Sequence, residues 1–112
     1  MASLDMQLIS DLKELMEDEF PSLVEIYLHD SVDRMQQIEA AVTAADGDKV
    51  RHAAHSLKGS SSNIGAIELV TLCQKLEEMG KANQLDAAPA QVTLIQSELA
   101  HVHQALKDVL AG

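Results

Sequence analysis

From Val92 to Val109 the apolar residues Val92, Ile95, Leu99, Val102, Leu106 and Val109 alternate spacings of three and four, behind a Pro89 placed where a helix can open. That stripe suits an α-helix burying one face along its whole length, and no strand pattern competes with it anywhere in the chain. The other segments obey the same rule. Val24, Leu28, Val32, Met35, Ile38, Val42 and Ala45 predict a long helix, opened by Pro21 and terminated by Gly47 after Asp46. Leu4, Leu8, Leu12 and Leu15 predict a short helix before it, ending near Glu19 because Pro21 disfavours helical geometry in the residue preceding it. A further helix starts near Asp48 as a candidate N-cap and buries Val50, Ala53, Ala54, Leu57 and Ser61. After the punctuation from Asn63 to Gly65, another turns Leu69, Leu72, Cys73, Leu76 and Met79 inward and stops near Gly80.

Hydrophobic residues make up 46% of the chain and aromatics only 2%, so the core must be built from Leu, Ile, Val, Met and Ala. The expected fold is therefore all-α: an antiparallel up-down-up-down four-helix bundle with a short additional N-terminal helix. At 112 residues, positions 1–112 are expected to form one domain, too short to hold a nucleotide-binding kinase domain as well. The opening Met1, Ala2 and Ser3 fit either a native start or a cloning remnant.

The formal net charge of -10 argues against nucleic acid as a partner, because phosphate-backbone binding needs clustered Lys and Arg. The charge is unevenly spread. Positions 49–81 hold five basic residues (Lys49, Arg51, Lys58, Lys75, Lys81) against three acidic ones (Glu68, Glu77, Glu78), a net of +2. The remainder, with three basic against fifteen acidic residues, is at -12, so the central segment is the one least hostile to an anion. The single Cys73 has no internal disulfide partner, no signal segment is evident, and no apolar run approaches the roughly 20 residues of a membrane span. A cytoplasmic, non-membrane location is expected.

Within the segment 49–81 lies the run His55, Ser56, Leu57, Lys58, Gly59, Ser60, Ser61, Ser62, Asn63, Ile64, Gly65, Ala66. On a helix, His55 points roughly 140° from the inward residues and is therefore on the wet face. Gly59 lies one turn further on nearly the same face, where it costs helix stability of about 1 kcal/mol relative to Ala. Helical side chains lean toward the N-terminus, so any side chain at 59 would cover the turn carrying the imidazole. Lys58 stands on the flank, within reach of a group attached to the ring, and its ammonium can neutralise part of a phosphoryl charge. Singly, each of these residues reads as an ordinary surface or packing residue; their combination is what points to a histidine open to a macromolecule.

Together, His55, Leu57, Lys58, Gly59, Ser60, Ser61, Gly65 and Ala66 resemble the motif of the histidine-containing phosphotransfer domains of bacterial-type phosphorelays, and the likeness continues through Leu72, Cys73, Leu76, Glu77 and Gly80. The resemblance implies that His55 accepts a phosphoryl group from a receiver-domain aspartate and passes it to another receiver aspartate. It implies receiver domains of response regulators and hybrid histidine kinases as partners, and no cofactor on this chain, Mg²⁺ belonging to the receiver. Gln74 and Glu77 are the candidates for orienting the imidazole, with Glu77 alternatively pairing with Lys58. Arg51, His52, Ser56 and Ser62 are candidate partner contacts, and a monomer is expected. Histidine-kinase accepting helices differ, with an acidic residue after the histidine and a Thr-Pro beyond, and no Gly-rich segment here suits ATP, so autokinase activity is not expected. The alternative is a helical adaptor that binds a receiver or kinase without carrying phosphate.

Other constellations are weaker. His52 and His55 form a pair three residues apart, with no third ligand spaced to complete a zinc site. Glu98 and His101 form a single Glu-x-x-His unit, half of what a di-iron bundle requires. No metal site is expected. Cys73 reads as a small buried hydrophobe, and His29 and His103 have no recognisable company.

Overall fold

The computed structural model describes residues 3–112; Met1 and Ala2, where a native or cloned start would lie, are outside the described residues. Helix α1 spans Met6–Met16, a 3-10 turn Glu17–Glu19, α2 Phe20–Thr43, α3 Gly47–Asn63, α4 Ile67–Lys81 and α5 Ala88–Ala111. Helices α2 to α5 form an antiparallel bundle in which α3 packs between α2 and α4, and α5 closes the ring against α4 and α2. The short α1 lies against α2, and the segment before it is tied to the α3–α4 turn by Asp5 N–H donating to the Gly65 carbonyl at 2.8 Å. No strand occurs among the described residues.

The last helix buries Val92, Ile95, Leu99, Val102 and Leu106, with Val109 half-buried at its end. In α3, Val50, Ala53, Ala54, Leu57 and Ser61 are all buried. Each fully buried leucine or isoleucine, such as Leu57, Leu76, Ile95 or Leu106, contributes about 1.5–3 kcal/mol.

Several details of the sequence reading are corrected. Helix α2 ends at Thr43, and Ala45, at φ 53°, makes the turn, so Gly47 does not terminate α2; it is the first residue of α3. The N-cap of α3 is Asp46, whose carboxylate accepts from Lys49 N–H at 3.1 Å, and not Asp48. The inward face of α2 runs through Phe20, Val24, Tyr27, Ser31, Met35, Ile38 and Ala41, leaving Val32 exposed and Leu28 and Val42 half-buried. In α1, likewise, Leu15 faces solvent while Ile9 is buried.

The rotation of α2 has a chemical reason. Tyr27 and Ser31 are inward because each finds a polar partner: Tyr27 Oη lies 2.8 Å from Ser61 Oγ, and Ser31 Oγ lies 2.7 Å from His103 Nε2. The His103 ring also meets Tyr27 edge-on, with centroids 6.3 Å apart. His103 thus does have company, and burial together with the nearby Lys107 holds its imidazole below the usual range and neutral.

Helix α4 stops at Lys81, beside Gly80 as expected, and Gly80 itself is buried within its last turn. A Cβ there would stand 2.7 Å from Arg51 N and 2.7 Å from the Gly47 carbonyl, both backbone atoms of α3. The two helices meet at a point where no methyl group fits. Gly59, by contrast, has nothing within 4 Å of the position a Cβ would take. We therefore expect Gly80→Ala to lower unfolding free energy by about 1–3 kcal/mol through overpacking, and Gly59→Ala to raise it by about 0.5–1 kcal/mol through helix propensity. Urea denaturation followed by circular dichroism checks both signs.

Candidate functional site

The α3–α4 pair runs antiparallel through a tight turn at Ile64, Gly65 and Ala66, with Gly65 at φ 77°. A turn there sets a fixed register, and successive turns of α3 face successive turns of α4 in reverse order: Arg51 meets Gly80, His55 meets Glu77, and Lys58 meets Gln74. His55 Nδ1 lies 3.0 Å from Glu77 Oε2, while Glu77 Oε1 lies 2.7 Å from Lys58 Nζ. Lys58 Nζ also donates to Gln74 Oε1 at 2.8 Å, and Gln74 Nε2 donates to Glu78 Oε2 at 3.2 Å. Both orienting candidates are thus engaged, in different roles. Glu77 holds the imidazole and pairs with the lysine; Gln74 braces the lysine and makes no contact with the ring.

Exposure is graded across this cluster. The His55 side chain is 64% exposed, against 18% for Glu77 and 21% for Lys58. The ring therefore stands in solvent on an anchored base. Burial pushes the Glu77 carboxyl up, but the Lys58 ammonium and the His55 ring outweigh it and hold the group below the usual carboxylate range. An ionised carboxylate only accepts, so Nδ1 must carry the proton it shares with Glu77. In the neutral imidazole this leaves Nε2 with a free lone pair.

The open space at Gly59 removes the reading in which close packing requires a glycine there. Of the proposed partner contacts, His52 and Ser62 are exposed and Arg51 and Ser56 half-buried, all outside the Glu77 cluster. Arg51 Nη2 lies 3.3 Å from His52 Nε2. Ser56 and His52 line a shallow groove between α2 and α3 with Ala40, Ala44 and Ala53. Among the described residues, no group of three or more His, Cys, Asp or Glu side chains is placed to hold a metal ion. Cys73 is buried, and desolvation with the charge of Glu77 pushes its thiol up to about 12, which keeps it protonated and unreactive.

Residues 22–105 match the family model described as the Hpt domain. The chain belongs to the Hpt domain family. Its role is histidine phosphotransfer. The structure is similar to the crystal structure of histidine-containing phosphotransfer protein B from Pseudomonas aeruginosa PAO1, at 40% identity and TM-score 0.92, covering 95% of this chain and 92% of that one. It also resembles a histidine-containing phosphotransfer protein from maize, at 19% identity and TM-score 0.86, covering 98% of this chain and 90% of that one, a likeness of fold. No curated protein matches the sequence. The all-helical bundle is the fold of this family's solved members.

The Glu77 bridge carries a pH signature. Because the folded carboxyl is held below its ordinary value of 4.5, its stabilising contribution is complete above that pH and is lost as pH falls through the lower folded value. Glu77→Gln is expected to remove part of the acid-side loss of stability, measured as urea midpoints on either side of pH 4.5. Nitrogen-15 chemical shifts of His55 should report a proton on Nδ1 and none on Nε2 in the neutral ring. A neutral ring protonated on Nε2 would contradict the assigned orientation.

Proposed function

We propose that His55 is the phosphoryl carrier and that its Nε2 is the reacting atom, relaying the group from one receiver-domain aspartate to another. The observation that carries this reading is an exposed imidazole whose Nδ1 is held by Glu77, leaving the lone pair of Nε2 turned away from the scaffold. In the forward step, that lone pair attacks phosphorus in line. A P–N bond forms, the P–O bond to the aspartyl carboxylate breaks, and the carboxylate leaves with the electron pair. Nε2 carries no proton, so no general base is needed, and the ring becomes a phosphorylated imidazolium with Nδ1–H still donated to Glu77. The second step is the reverse of the first on a different aspartate.

Lys58 lies one turn from the ring on the same flank and would meet the incoming phosphoryl oxygens as a point charge. Gly59 leaves the approach to the ring uncovered. The chain supplies positioning and charge; Mg²⁺ and the anhydride come from the receiver, and we assign this chain no metal, nucleotide or autokinase activity. We further take residues 1–112 as one domain that acts as a cytoplasmic monomer, bound to neither nucleic acid nor membrane. Consistent with the last point, no helix among the described residues is long and apolar enough to cross a membrane.

Incubation with a receiver carrying a radiolabelled phosphoryl group is the direct test. The carrier reading expects acid-labile label on this chain, lost in His55→Gln with binding retained; an adaptor would bind and take up no label in either form. Lys58→Ala should lower the transfer rate about 10-fold, equivalent to about 1.4 kcal/mol, with the helix content unchanged. Gly59→Gln should fold and slow transfer by covering the ring, and an unchanged rate would refute the role assigned to the glycine.

A further inference from the structure

Lys58 is held by two side chains of α4, and the two contacts differ in kind. Gln74 Oε1 accepts a directed hydrogen bond from Lys58 Nζ at 2.8 Å. Glu77 Oε1 stands 2.7 Å from the same nitrogen as an ion pair, out of water and not aligned as a hydrogen bond. An ammonium has three N–H donors, and the direction that the contacts fix at Lys58 is the one toward Gln74. The amide is itself fixed from its other end, where Gln74 Nε2 donates to Glu78 Oε2 at 3.2 Å across one turn of α4. Turning the amide over would set its NH₂ against the ammonium and its oxygen against the carboxylate, so Lys58 and Glu78 select one orientation between them. Gln74 thus stands between Lys58 and a second carboxylate, and offers the ammonium a neutral oxygen in place of the exposed Glu78.

Resting on the reading of His55 as the carrier, we propose that Gln74 is a positioning residue for phosphoryl transfer, whose neutral amide aims the Lys58 ammonium without neutralising it. A lysine stem is flexible, and an ion pair fixes distance more than direction. Held by Glu77 alone, the ammonium would be free to turn about the carboxylate. Held by two carboxylates, its charge would be cancelled before a phosphoryl group arrived. A neutral second acceptor gives direction and leaves the remaining N–H for the phosphoryl oxygens.

The test is single-turnover transfer from a receiver carrying a radiolabelled phosphoryl group to the full chain, over a range of chain concentrations, in Gln74→Met and Gln74→Glu and with each change repeated on Lys58→Ala. Position 74 is half-buried on the flank of α4, and both replacements are good helix formers. Each is expected to slow transfer at saturation about fivefold, with the half-saturating concentration unchanged and no further slowing in the Lys58→Ala background. The Lys58 ¹⁵Nζ ammonium signal in NMR is expected to be lost to water exchange in Gln74→Met, while His55 keeps its proton on Nδ1. The proposal is overturned if either variant transfers at the parent rate, if Gln74→Met slows Lys58→Ala as much as it slows the parent, or if the His55 tautomer changes, which would make Gln74 a residue of ring orientation. A parent chain that takes no label on His55 overturns the carrier reading and this one together; a labelled parent with an unaffected Gln74→Met overturns this inference only.

Discussion

Everything at the candidate site depends on how closely α3 and α4 approach. At one end of the pair, Gly80 lies against the backbone of Gly47 and Arg51 with no room for a Cβ. At the other, Gly65 makes the turn at φ 77°, where an added Cβ would meet Leu8 and Asp5. Between these fixed points a carboxylate on α4 can touch both a ring nitrogen and an ammonium on α3 without strain on either helix. A wider separation would leave Glu77 as a solvated helix residue and His55 as a free rotor. Rigid packing of small residues therefore produces the chemical order that an exposed side chain could not maintain alone.

Glu77 unites two roles that the sequence reading kept apart. By accepting from Nδ1 it fixes the imidazole, and by pairing with Lys58 it holds the ammonium one turn from the ring. Gln74 completes the support from the adjacent turn, accepting from Lys58 while donating to Glu78. The result is a gradient from partly buried anchors to an exposed reactive ring. Exposure makes the ring reachable by a macromolecule, and burial of its supports keeps it aimed.

Helices with a one-sided apolar stripe were legible in the residues, as Val92 to Leu106 and Val50 to Ser61 demonstrate, because periodicity maps directly onto burial there. The stripe of α2 was misread where burial is polar. Tyr27 and Ser31 face inward because Ser61 and His103 satisfy them, and those partners stand on helices distant in sequence, at positions 61 and 103. Hydrophobicity along one helix carries no trace of such a pairing. Gly47 was misread in a similar way: it looks like a helix stop, yet together with Gly80, which does lie beside the end of α4, it marks a close crossing that only the second helix explains. The pairing of His55 with Glu77 did have a signal. A hairpin turning at Gly65 and Ala66 reflects position 55 onto 77 and position 58 onto 74, so the turn position alone separates the two orienting candidates.

The electrostatics of the cluster bear on why such a site would hand a group on and not retain it. With the ring neutral, Lys58 and Glu77 cancel, so the unmodified site presents no net charge beyond its neighbours. On the proposed reading, phosphorylation adds about two negative charges and one positive charge on the ring, while Lys58 remains shared with Glu77 and Gln74. Among the described residues no second lysine or arginine joins the cluster, and positions 49–81 as a whole offer only a net of +2 within a chain of net -10. The phosphorylated ring is therefore incompletely neutralised by its own scaffold. On that same reading, a receiver bringing Mg²⁺ would supply the missing positive charge, which would place the stronger hold on the phosphoryl group with the partner and make departure favourable only once the partner has docked.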